Sequence, residues 1–174
     1  MGIEFDILYA IQNLRSQTLD TVMTFVSYLG NSGAIWIIIG LIMTGFKKYR
    51  KCGLSVLIAL LVCLIAGNGI LKNLIARERP CWIDESVKLI ISVPKDFSFP
   101  SGHTFSSFAA ASCILYWHKK EGVFALILAI LISFSRLYLF VHFPTDILGG
   151  IALGFFAAVT GIYITKKIYK KNER

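Results

Sequence analysis

The sequence predicts an all-α fold embedded in a membrane: a bundle of about five transmembrane spans preceded by an amphipathic helix. Three observations predict it. Of the 174 residues, 56% are hydrophobic and 16% charged, and the mean hydropathy is +0.68, more apolar than an ordinary soluble domain. The apolar residues run in stretches close to the ~20 residues that cross a bilayer. Basic residues gather where those stretches end, as Lys47, Lys48, Arg50 and Lys51, then Lys119 and Lys120, then Lys166, Lys167, Lys170, Lys171 and Arg174.

Each element follows from its own pattern. In residues 3–14, Ile3, Ile7, Leu8, Ile11 and Leu14 recur at helical spacing, so residues 1–18 read as an interfacial segment too mixed to span. Residues 19–46 are apolar but interrupted by Gly30-Asn31-Ser32-Gly33. The part beyond the break is too short to cross alone, so the stretch reads as one kinked span. Residues 52–75 form the second span and 77–99 a polar loop. Residues 102–117, 122–140 and 146–165 form the third to fifth, joined by the short connections of an antiparallel bundle. The chain reads as a single domain, with the bundle over 19–166 and a basic tail over 167–174.

Five spans place all three basic clusters, and the C-terminus, on one side, which the positive-inside rule makes the cytoplasm. The outer side receives the start of the first span, the 77–99 loop and the turn near 141–145. The net charge of +8 is then explained by lipid headgroups. The expected partners are membrane lipids and a lipid substrate, with no nucleic acid and no obligate protein partner. Cys52, Cys63 and Cys113 sit in or beside apolar runs as small hydrophobes, and Cys81 lies in the loop. Their spacing offers neither a disulfide framework nor a zinc site. Glu4 and Asp6, without a basic cluster, do not read as a cleaved signal peptide.

Three polar patches fall on the outer side: Lys72 with Arg79 and Pro80; Pro100-Ser101-Gly102-His103; and Ser135, Arg136, His142 and Asp146. Taken alone, Lys72 reads as a residue snorkelling to the interface, Arg79 as a solvated charge, Pro100-Ser101 as a helix start and His142 as structural. Arg136 closes an apolar run, where a charge is costly and functional by default. The topology, drawn from other residues, brings all three patches to one face. Lys72, Arg79 and Arg136 are cations without a matching acidic cluster, and guanidinium forks suit phosphate oxygens. Ser101 and Gly102 open a helix whose free N–H groups and dipole also favour an anion. Two histidines beside one phosphate can divide the roles of nucleophile and general acid. Asp146, four residues after His142, can accept a hydrogen bond from it and set its tautomer.

The patches K-x6-R-P, P-S-G-H and S-R-x5-H-x3-D resemble the signature of the type 2 phosphatidic acid phosphatase (PAP2) family, which shares its site with vanadium haloperoxidases. The resemblance covers residues 72–146, and the chain is similar to a short bacterial membrane form. It implies that Lys72, Arg79, Ser101, Gly102 and Arg136 hold the phosphate. His142 would attack phosphorus to give a phosphohistidine. His103 would protonate the leaving oxygen and then activate water, and Asp146 would orient His142. It implies no metal and no cofactor. The substrate classes it suggests are undecaprenyl diphosphate, preferred because an outward site suits its recycling, a phosphatidyl phosphate such as phosphatidylglycerophosphate or phosphatidic acid, and a lipid A phosphate. A vanadate haloperoxidase fits less well because those relatives are soluble. A non-catalytic anion-binding membrane protein would need neither the paired histidines nor Asp146.

The topology makes a direct prediction. In a background lacking the native cysteines, an impermeant thiol reagent on intact cells should label Cys introduced at Ser86 and spare Cys introduced at Lys119; the reverse pattern overturns the sidedness.

Overall fold

The computed structural model describes residues 2–172, which form helices and loops with no strand among them. In chain order the helices are α1 (Ile3–Gln12), α2 (Gln17–Leu29), α3 (Ala34–Gly45), α4 (Arg50–Cys63), α5 (Lys72–Ile75), α6 (Pro80–Ile83), α7 (Gly102–Trp117), α8 (Lys119–Tyr138) and α9 (Pro144–Asn172). The protein is an all-α membrane bundle. The run Arg50–Ile83, α8 and the run Pro144–Lys171 are long and apolar enough to cross a bilayer, and α2 with α3 makes a fourth candidate bent by 43°. Residues 167–172 continue α9, whereas Arg174 of the basic tail lies outside the described residues.

The expected third span is present as α7, whose 16 residues extend about 24 Å. It is the bundle's central post, packed against α4, α8 and α9. Thr104 through Ala111 are buried along it. Small residues set this packing, because backbones approach closely where side chains are absent. A Cβ on Gly161 of α9 would lie 2.4 Å from the Ser55 carbonyl oxygen of α4. Indole N–H groups supply further ties: Trp36 of α3 donates to Ser107 Oγ of α7 at 2.9 Å, and Trp117 of α7 to Ser55 Oγ of α4 at 3.0 Å.

The break expected at residues 30–33 is a single 3₁₀ turn, Asn31–Gly33, with Ser32 and Gly33 left-handed at φ 52° and 67°. Gly30 is required by proximity: a Cβ there would meet His103 Cδ2 at 2.8 Å. One feature escaped the sequence reading. After α4 the helix widens into a π-helical stretch, Leu64–Leu71, that ends where Lys72 begins α5. Such segments are concentrated at functional sites.

Helix α1 is present as expected, and its apolar residues divide between the protein interior and the open surface. Phe5, Leu8 and Ile11 are buried, while Ile3, Ile7 and Leu14 are exposed. Phe5 packs edge-on against Phe143 at 5.3 Å and beside Phe140 at 6.2 Å, so an aromatic cluster under the α8–α9 connection selects the face. The basic clusters converge at the other end of α7, where Lys47, Lys48, Arg50, Lys51, Trp117, His118 and Tyr169 line one depression. All four cysteines are free and buried.

Replacing Gly161 by Val should force α9 away from α4 and cost about 1–3 kcal/mol, as overpacking does. A lowered thermal midpoint of the detergent-solubilised protein checks this; an unchanged midpoint refutes the close-approach argument.

Candidate active site

At the end of α7 remote from the basic clusters, several element termini converge. Lys72 opens α5, Arg79 precedes α6, and Ser101 caps α7, whose first turn carries Gly102 and His103. Arg136 lies in the last turn of α8, His142 in the connection to α9, and Asp146 in the first turn of α9. A cavity of about 780 Å³ is lined by six of these residues: Lys72, Arg79, Gly102, His103, Arg136 and His142. Its wall continues into apolar residues of α3, α4 and the π-helical stretch, among them Ile37, Leu57, Leu61 and Leu64. Ser101 and Asp146 are wholly buried and do not line it. Ser101 Oγ accepts from the Thr104 N–H at 3.4 Å as the helix cap, and from Thr104 Oγ1 at 3.1 Å.

Arg79 is 2% exposed, so each guanidinium N–H needs an acceptor. Nε donates to the Asp96 carbonyl at 2.7 Å, Nη1 to the Val141 carbonyl at 2.7 Å, and Nη2 to Asp96 Oδ1 at 2.8 Å and the Phe97 carbonyl at 3.3 Å. The remaining Nη1 hydrogen meets His142 Nε2 at 3.1 Å. A guanidinium can only donate. His142 Nε2 therefore presents a lone pair, and the ring proton sits on Nδ1. Nδ1 lies 3.4 Å from Asp146 Oδ2 and 3.5 Å from Ser98 Oγ. Asp146 Oδ2 also accepts from Ser98 Oγ and, at 2.7 Å, from the Phe143 N–H. Burial first, then the nearby guanidiniums of Arg79 and Arg136, hold His142 well below the usual imidazole range. The ring is thereby kept neutral at physiological pH.

His103 Nε2 meets Asn31 Oδ1 at 3.0 Å. An amide oxygen only accepts, so this nitrogen carries hydrogen. Asn31 thus links the α2–α3 break to the site. Arg136 Nη1 donates to Ser27 Oγ of α2, while its Nε has no hydrogen-bond partner among the described residues.

Asp96, Ser98, Asn31 and Arg77 were all missed from the sequence. Asp96 Oδ2 accepts from Lys72 Nζ while Oδ1 accepts from Arg79, so one carboxylate engages two of the three cations expected to bind an anion. Burial would raise the Asp96 pKa, but the Lys72 hydrogen bond and the two cations outweigh it and hold it at about 2. A depressed carboxylate contributes stability above its unfolded value and loses it as pH falls toward the folded one, here below about pH 4. Asp96 and Ser98 do have a faint signal, since both lie just before the Pro100-Ser101-Gly102-His103 quartet. Among the described residues no group of three or more His, Cys, Asp or Glu side chains is placed to hold a metal ion.

A membrane-embedded helical bundle that brings buried cations and two histidines to one cavity defines a membrane phosphatase. The chain belongs to the PAP2 superfamily, which it matches over residues 50–170. It is 29% identical over 165 residues to an undecaprenyl-diphosphatase of Sulfolobus acidocaldarius, covering 94% of this chain and 79% of that protein. It is 35% identical over 160 residues to phosphatidylglycerophosphatase B of Bacillus subtilis, covering 81% and 72%. The crystal structure of Aquifex aeolicus LpxE superposes with a TM-score of 0.76 at 26% identity, over 94% of this chain and 96% of that one.

Asp96 competes with any incoming anion for Lys72 and Arg79. Asp96→Asn should therefore tighten binding of inorganic phosphate and orthovanadate roughly several-fold, since each cation loses a charged partner. Competitive inhibition constants check this, and unchanged or weaker constants refute the competition.

Proposed function

We propose that this PAP2 phosphatase hydrolyses undecaprenyl diphosphate through a phosphohistidine, on the outer face of the cell membrane and with the C-terminus in the cytoplasm. The observation that carries the reading is the string from Arg79 through His142 to Asp146, which leaves Nε2 unprotonated, accepting from Arg79, on a residue that lines the cavity with Lys72, Arg79 and Arg136. Those cations, with the Gly102 backbone at the mouth of α7, would bind the phosphate oxygens and offset the charge of a five-coordinate transition state. Ser101 would hold that mouth as its cap. The apolar wall would accept the first part of the lipid tail.

His142 Nε2 attacks the terminal phosphorus, forming an N–P bond as the bridging P–O bond breaks. His103 gives its proton to the departing oxygen, a state favoured by the phosphate's negative charge. Undecaprenyl phosphate leaves. His103 then takes a proton from water as its oxygen attacks the phosphohistidine, releasing phosphate and restoring His142. Asp146 holds the ring and stabilises its charge while phosphorylated. The substrate choice is supported by the extensive match to the Sulfolobus acidocaldarius relative. A second reading, phosphatidylglycerophosphate as substrate, is favoured by the higher identity to the Bacillus subtilis relative.

Phosphate release by the purified protein, measured in EDTA against undecaprenyl diphosphate, phosphatidylglycerophosphate, phosphatidic acid and a lipid A phosphate, should give the highest kcat/KM for the first. A higher value for another lipid moves the assignment to it, and loss in EDTA restored by magnesium overturns the mechanism. The pH–rate profile should be bell-shaped, its acid limb below ~6.5 because His142 stays neutral there. His142→Ala should abolish the phosphoenzyme. His103→Ala should slow an alkyl phosphate more than an activated aryl phosphate when phosphoenzyme formation limits. Equal losses refute the general-acid role.

A further inference from the structure

Arg77 lies two residues before Arg79 but does not line the cavity. Its guanidinium sits on the far side of Asp146. Nη1 donates to Asp146 Oδ1 and to Thr145 Oγ1, both at 2.6 Å, and Nη2 donates to Glu4 Oε2 at 2.5 Å. The guanidinium carbon stands 4.2 Å over the Phe143 ring. The second oxygen of Glu4 accepts from the Thr145 N–H at 3.1 Å and Oγ1 at 2.6 Å. The first helix of the chain is thus joined, through one arginine, to the carboxylate behind His142.

We propose that Arg77 is a positioning residue for His142, and that α1, through Glu4, belongs to the apparatus that holds it. The inference rests on the reading of His142 and Asp146 given above. A carboxylate bound through one oxygen can pivot. Asp146 Oδ2 is taken by Ser98, the Phe143 N–H and His142, and Arg77 on Oδ1 stops the rotation that would carry Oδ2 away. Its cation also offsets a fully buried negative charge that would otherwise favour the imidazolium and remove the nucleophilic lone pair. Glu4 and the Phe143 face fix Arg77 in turn. The backbone makes the same demand. Phe140 is left-handed at φ 59°, directly before Val141 and His142, a conformation held only by its surroundings. Those surroundings are the α1 rings of Phe5 and Tyr9, at 6.2 and 5.9 Å.

The groups facing His142 are Lys72 from α5, Arg79 from the stretch before α6, Asp96 from the long loop, His103 from α7, Arg136 from α8 and Asp146 from α9. Of these groups Arg77 bonds only to Asp146 among the described residues, so a displaced acid limb reports Arg77 acting through Asp146.

The test uses the full chain in detergent and an activated aryl phosphate, comparing Arg77→Gln, Arg77→Lys and Glu4→Gln with the parent, and His142→Ala as reference. Arg77→Gln should lower kcat roughly tenfold or more, as loss of a histidine-orienting partner does, with KM within about twofold. Its acid limb should rise by about one pH unit, because losing the cation favours protonated His142. Arg77→Lys keeps the charge but not the fork, so it should recover part of kcat and leave the acid limb in place. Glu4→Gln should cost about a few-fold in kcat and add nothing in the Arg77→Gln background, as expected of coupled groups. A folded Arg77→Gln with an unmoved acid limb, or with raised KM at unchanged kcat, overturns the inference. If that variant does not fold by gel filtration, parental kcat in both Arg77→Lys and Glu4→Gln overturns it, and lowered kcat in both supports it. A phosphoenzyme persisting in His142→Ala overturns both this inference and the mechanism it rests on. Its loss there, with the acid limb unmoved in Arg77→Gln, overturns the inference alone.

Discussion

Leaving a buried guanidinium N–H without an acceptor is costly, and Arg79 avoids that cost by gathering the site around itself. Its partners come from the long loop, through Asp96 and Phe97, and from the α8–α9 connection, through Val141 and His142. Two segments without regular structure of their own are thereby fixed to one planar group. The same requirement decides the state of His142. The remaining Nη1 hydrogen meets His142 Nε2, which can pair with it only through a lone pair, so the tautomer is fixed and Nδ1 is left for Asp146.

The bundle provides what this arrangement cannot provide for itself. Central α7 runs from the cavity to the basic end of the bundle, and its N-terminus lies beside the cavity, where free N–H groups and the helix dipole add to the positive potential. The bend between α2 and α3 delivers Asn31 to His103, and α2 delivers Ser27 to Arg136. The π-helical stretch delivers Lys72. Helical irregularities therefore sit where a regular span would carry its residues past the site.

Charge balance is the second organising constraint. Lys72, Arg79 and Arg136 are 6%, 2% and 5% exposed, and cations so buried repel one another. Asp96 relieves part of that repulsion and Ser27 gives Arg136 one acceptor, yet the guanidinium of Arg136 keeps an unspent donor at Nε. A cavity that is over-supplied with donors and cations suits a ligand that only accepts and carries negative charge.

Helix placement, the break at residues 30–33 and the gathering of Lys72, Arg79, His103, Arg136 and His142 at one end were legible in the sequence. Hydropathy, turn-forming glycines and motif spacing are local, and a bilayer turns alternating spans into alternating ends. The face buried by α1 was not, because Ile3 and Phe5 are equally apolar and only the rings of Phe140 and Phe143 choose between them. Nor was Asp96, which by sequence is one more charge in a polar loop. Glu4 and Arg77 are separated by 73 residues and Glu4 and Thr145 by 141; no local pattern pairs them. The sequence by itself determined the lipid-embedded helices and the residue types available to bind a phosphate. The tertiary structure decided which oxygen meets which nitrogen, because that follows from helix packing and from the need of each buried polar group for a partner.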